Sequence, residues 1–79
     1  MPTAFREGPY RFHFYSSDCN EPMHVHVQRD RNEAKFWLDP IEIAHNYGFA
    51  GHELRKIRKM IRAQKSMIAD AWYEHCGHH

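Results

Sequence analysis

The sequence predicts an α+β fold: a small antiparallel sheet of three to five strands, with one long C-terminal helix packed on one face. Three observations predict it. Apolar and polar residues alternate in stretches between Tyr10 and Leu38, the period-two pattern of strands with one buried face. After Gly48 the apolar period becomes 3.6, the signature of an amphipathic helix. At 79 residues the chain has material for one domain and one core, and a single helix covers only one side of a sheet.

The elements follow in order. Ala4 and Phe5 make a short apolar patch before the turn signal Gly8-Pro9. Tyr10, Phe12 and Phe14 then alternate with Arg11, His13 and Tyr15, which predicts a strand. Ser16 to Pro22 is polar and turn-like. Met23, Val25 and Val27 alternate with His24, His26 and Gln28, and Ala34, Phe36 and Leu38 alternate with Glu33, Lys35 and Trp37. Asp30-Arg31-Asn32 joins these two strands as a hairpin, without the favoured glycine. Asp39-Pro40 interrupts the ladder, because proline donates no hydrogen bond. Ile41 and Ile43 continue it as a short edge strand or a single turn. The strands thus span about residues 3–45 and the helix about 51–76.

On a helical wheel Leu54, Ile57, Met60, Ile61, Met67, Ile68, Ala71 and Trp72 fall in an arc of roughly 140°. Arg55, Arg58, Lys59, Arg62 and Lys65 fall beside it. No Gly or Pro interrupts residues 52–76, so one helix is expected over two, with Ala63 to Lys65 as the place for a break. Glu53 suits the third position of a capping box, but Ala50 offers no hydroxyl to complete it.

Net charge is +1, yet residues 55–65 carry six basic side chains and no acid. That segregation suits an anionic partner; a solvated helix face is the plain alternative. Composition excludes a membrane span and a signal peptide, since no apolar run is long enough for either. Two cysteines, Cys19 and Cys76, are too few for a disulfide scaffold, and a reducing cytoplasm is the simplest home. His78 and His79 read as the stub of a purification tag and are set aside.

The sheet face away from the helix is expected to be open and to gather Arg11, His13, Tyr15, His24, His26, Gln28, Glu33, Lys35 and Trp37. On a strand, His24 and His26 emerge on the same side, roughly 7 Å apart. As base and acid, with Arg11 as the cation, they have the residue types for cleaving a phosphodiester without a metal. Tyr15, Lys35 and Trp37 would bind a base or a protein partner. No resident cofactor is expected. Zinc or another transition ion would use His24 and His26, with a third ligand from His13, Asp18 or Cys19. Two surface histidines bonded to neighbours are the plain alternative. Arg55, Arg58, Lys59, Arg62 and Lys65 are the candidate contacts for a nucleic acid or an acidic protein.

Three stretches carry a family resemblance: Pro2-Thr3-Ala4-Phe5-Arg6-Glu7-Gly8 with Tyr10-Arg11-Phe12; Glu21-Pro22-Met23-His24-Val25-His26-Val27; and Glu33-Ala34-Lys35-Phe36-Trp37-Leu38. Asn46-Tyr47-Gly48-Phe49, Glu53-Leu54 and Ala71-Trp72 extend it. Together they resemble the bacterial domain-of-unknown-function 4160 family. Met23 stands where the family's Pro-Pro-His-hydrophobic-His element has a second proline. His13 stands where an aromatic is usual, and Ala50 replaces a capping serine or threonine. The resemblance implies a short bacterial or phage-encoded protein, paired with a neighbour of the domain-of-unknown-function 2442 family. Such pairs look like toxin–antitoxin modules, with this chain as the toxin half and the neighbour as its antitoxin. The expected function is therefore a toxin component neutralised by a small neighbour-encoded protein. A regulatory interaction module, or a small ribonuclease-like domain using His24 and His26, is the alternative. Oligomers are compatible with a core this small.

Overall fold

A computed structural model describes residues 3–77 of the chain; the tag reading of His78 and His79 lies outside the described residues. Five strands, β1 (Thr3–Glu7), β2 (Tyr10–His13), β3 (His24–Arg29), β4 (Asn32–Leu38) and β5 (Ile41–Tyr47), form one antiparallel meander in sequence order. Two helices follow, α1 (Gly51–Ala63) and α2 (Lys65–Cys76). No helix among the described residues is long and apolar enough to cross a membrane.

The alternation places the core as read. Tyr10, Phe12, Phe14, Val25, Val27, Ala34, Phe36 and Leu38 are buried against Phe49, Ile57, Ile61, Ile68 and Trp72. Register aligns Phe12 with Val27, Val27 with Ala34 and Val25 with Phe36, so the apolar side chains form rows across one face. Met67, at the edge of the predicted arc, is 39% exposed.

Three local expectations are corrected. The expected single helix is two: Gln64 leaves helical geometry at φ −113°, ψ 20°, and its amide is shared between the carbonyls of Met60 and Ile61. The segment after Asp39-Pro40 is a seven-residue edge strand; the proline sits in the turn, where it interrupts no ladder. Cys19 and Cys76 are joined in a disulfide across 57 residues, so the reducing compartment inferred from unpaired cysteines loses its ground.

Two residues without the favoured chemistry still do the expected jobs. Asp30 takes the left-handed conformation of the β3–β4 turn at φ 56°, which Asp tolerates better than most residues. The N-terminus of α1 has no side-chain cap. Glu53 instead reaches the sheet, accepting hydrogen bonds from Arg29 Nε at 2.6 Å, Arg29 Nη2 at 3.0 Å and Tyr10 Oη at 2.6 Å. Those Arg29 and Tyr10 hydrogen bonds hold the Glu53 carboxyl down at about 2. An acidic side chain in the first turn also complements the helix dipole. The contact fixes where α1 crosses β2 and β3.

Gly48 leads from β5 into α1 at φ 109°, and a Cβ there would run into the Asn32 side chain. Only glycine takes that conformation without strain. Gly48→Ala is expected to cost about 1–3 kcal/mol and to lower the melting temperature by roughly 4 °C or more. A thermal melt followed by circular dichroism checks it; an unchanged melt contradicts it.

A buried histidine–carboxylate cluster and a basic helix face

His24 and His26 share a side of β3, as their spacing requires, opposite Trp37 and Lys35 of β4 in register. The side is not open. His13 and His24 are fully buried and His26 is 9% exposed. The cover is the polar stretch after β2. Tyr15 turns its ring edge-on against His13 and His26, with centroids 5.0 and 4.5 Å apart. Ser16–Asn20 then coils into one 3-10 turn that carries Asp18 down onto the imidazoles. Trp37 and Trp72 close around His24 at 5.5 and 5.2 Å. The expected open face is corrected here: the His24 ring is fully enclosed and the His26 ring keeps only a small exposed edge.

Asp18 is the hub. Its Oδ2 lies 3.0 Å from His26 Nε2, and its Oδ1 lies 3.1 Å from His24 Nε2. The backbone amide of Tyr15 donates to Oδ2 at 2.8 Å, which orients the carboxylate. Burial by itself raises a carboxyl pKa. The Tyr15 amide and the two imidazoles outweigh burial and hold Asp18 below its usual value.

The ring tautomer of His24 follows from its surroundings. Nδ1 lies 2.8 Å from the carbonyl oxygen of Pro22, and a carbonyl only accepts, so Nδ1 carries a proton. Nε2 is buried and makes no hydrogen bond. A second carboxylate stands behind: Glu33 Oε2 is 3.7 Å from His26 Nδ1 and 3.8 Å from His13 Nε2. Tyr15 Oη donates to it at 2.7 Å. That bond, with burial, pushes the Tyr15 phenol up to about 12. Asp18, His24 and His26 each turn one donor atom to a common point, all within 4.8 Å of one another. Cys19, His75 and Cys76 also lie close together, but both sulfurs are in the disulfide.

The other expected contacts are dispersed. Arg11 pairs across the ladder with Gln28 and donates to Thr3 Oγ1 at 3.0 Å; it does not join His24. Lys35 bridges Glu21 and lies 4.6 Å above the Trp37 ring. An open groove of about 600 Å³ is lined by Pro22, Met23, Trp37, Pro40, Lys65 and Ala69 among others, but by none of the three cluster ligands. Arg55, Arg58, Lys59, Arg62 and Lys65 are exposed along α1 and the start of α2. Lys65 comes within 3.8 Å of Asp39. No acidic partner is seen for Arg55, Arg58, Lys59 or Arg62 among the described residues.

Sequence reasoning offered Asp18 only as one of three alternatives and overlooked Glu33 as an acceptor. The available signal was an acid three residues beyond Tyr15 in a polar turn, a spacing that returns a side chain to the backbone.

Burial lowers the pKa of His13, with Arg11 adding to it, and burial lowers that of His26 against the pull of Asp18. The neutral rings therefore belong to the native state. Their contribution is fully present above the unfolded value of 6.5 and is lost as pH falls below it toward the depressed folded values. Urea midpoints are expected to be flat from pH 8 to 7 and to fall between pH 6.5 and 5. A midpoint that rises on acidification contradicts the burial.

Residues 10–73 match the family model described as Domain of unknown function (DUF4160). No curated protein and no solved structure matches the chain. Since the match takes in the His24–His26 strand, α1 and most of α2, the chain belongs to the DUF4160 family.

Proposed function

We propose that this protein is the toxin-like half of a bacterial two-protein module, acting through the basic face of α1 and neutralised by a small neighbour-encoded partner. One observation carries the reading. Arg55, Arg58, Lys59 and Arg62 stand exposed on one helix with no acidic partner among the described residues. A surface of like charges repels itself and attracts anions. The acidic surface of an antitoxin-like partner would cover this face and screen it from its target.

The pairing that the family resemblance implies agrees with this reading. A cytoplasmic site of action is part of this proposal and rests on the implied pairing alone; in a reducing pool the apolar core, without the Cys19–Cys76 bond, must hold the fold. Nucleic-acid phosphates are the second anion that suits the stripe. The sequence around the stripe carries no helix-turn-helix signature, and the implied pairing with a neighbour supports the protein partner.

Inducing the chain alone in its native host is expected to slow growth, and co-expressing the product of the adjacent reading frame to restore it. The pair should co-elute in size-exclusion chromatography and separate as salt is raised. Arg58→Glu with Arg62→Glu replaces exposed side chains, so stability should change by about 0.5 kcal/mol or less per site. Both the growth effect and the complex should be lost. Undisturbed growth at verified soluble expression contradicts the toxin reading. A tight complex without any growth effect supports a regulatory module instead.

A further inference from the structure

We propose that Asp18, His24 and His26 bind a divalent transition ion of the zinc class. The inference is independent of the role given to α1.

The donor set is the first ground. Two imidazoles and one carboxylate are ligands of zinc, iron and cobalt, and the two-histidine, one-carboxylate arrangement recurs in metal sites. The spacing is the second. Donors about 2.0–2.1 Å from a tetrahedral ion lie about 3.3 Å from one another. Asp18 Oδ1 to His24 Nε2 is 3.1 Å, Oδ1 to His26 Nε2 is 3.2 Å and Oδ2 to His26 Nε2 is 3.0 Å. The two imidazole nitrogens both lie at this spacing from the carboxylate, and all three donors lie within 4.8 Å of one another.

The tautomer is the third ground. The Nδ1 proton of His24 is committed to Pro22, so an ion would use the lone pair at Nε2. That nitrogen faces the Asp18 carboxylate, itself an acceptor, with no hydrogen bond between them. A divalent cation set between this nitrogen and the carboxylate satisfies both in a buried site. An ion seated off the line between the two atoms takes both lone pairs at once.

The surroundings are the fourth. Metal-bound imidazoles characteristically give their other N–H to a carbonyl or carboxylate, which fixes the ring. His24 gives its own to Pro22, and Glu33 stands 3.7 Å from Nδ1 of His26. The Tyr15 amide holds Asp18 in place. His13 remains outside the group, beside Glu33.

The probe is Co2+, titrated into the full 79-residue chain after stripping with a chelator. Reductant is omitted, so that Cys19 and Cys76 offer no thiolate. One equivalent is expected to bind, with visible absorbance of a tetrahedral or five-coordinate ion, displacement by Zn2+ and a raised melting temperature. Asp18→Asn and His24→Gln should each weaken Co2+ by about tenfold or more and abolish the thermal gain. His45→Gln, at an exposed position on β5, should leave both unchanged. Equal binding by wild type and the Asp18 and His24 variants, or no binding at all, overturns the site. If these variants do not fold, zinc-edge X-ray absorption of the wild-type complex decides. Two imidazoles with a carboxylate support the proposal; sulfur or an all-oxygen shell overturns it.

Discussion

The contact on which the rest depends is the Asp18 carboxylate set between the Nε2 atoms of His24 and His26. It turns a sheet face rich in imidazoles into an interior. Imidazoles of this kind ordinarily face water, and burying them without partners is costly. One carboxylate stands against both rings, bonded to His26 and 3.1 Å from His24 Nε2, because Ser16–Asn20 is coiled and the Tyr15 amide orients it. The neighbouring residue, Cys19, is bonded to the end of α2. The covering turn is thus tied on one side to β2 and on the other to the helix that closes the core. The domain has a hydrophobic layer under its helices and a second, polar interior under its loop.

Much of this was legible in the residues. Alternation from Tyr10 to Leu38 gave the two faces of the sheet, and the buried rows Phe12–Val27–Ala34 and Val25–Phe36 are those that alternation selects. The 3.6-residue period gave Ile57, Ile61, Ile68 and Trp72 as the covering stripe. The co-facing of His24 and His26 follows from a spacing of two and nothing else. What escaped depends on contacts between distant segments. No local pattern announces that residues 16–20 fold back over β3, or that Cys19 meets Cys76. Periodicity ranks a polar face as outer, and it has no means of seeing a loop close over that face.

Two other departures have local causes. Gln64 breaks a helix that composition alone would continue, because its amide is shared between two carbonyls at the junction. Glu53 was read as half of a capping box whose other half was absent. Its partners, Arg29 and Tyr10, lie 24 and 43 residues away. A carboxylate in the first turn of a helix has two uses, and the choice between them is made by the sheet below. The unpaired cations of α1 and the paired imidazoles of β3 also separate cleanly. One face carries charge outward, and the other holds donor atoms inward, so changes to either can be read without the other.

The central claim is that the His24 ring is enclosed, with a proton on Nδ1 and with Nε2 facing Asp18. Long-range 1H–15N correlation NMR of the metal-free protein at pH 7.5 tests it most directly, because the nitrogen shifts report which ring atom carries hydrogen. The account predicts for His24 a proton held on Nδ1 and in slow exchange with solvent. Averaged shifts of a ring sampling both tautomers in fast exchange with water would contradict it.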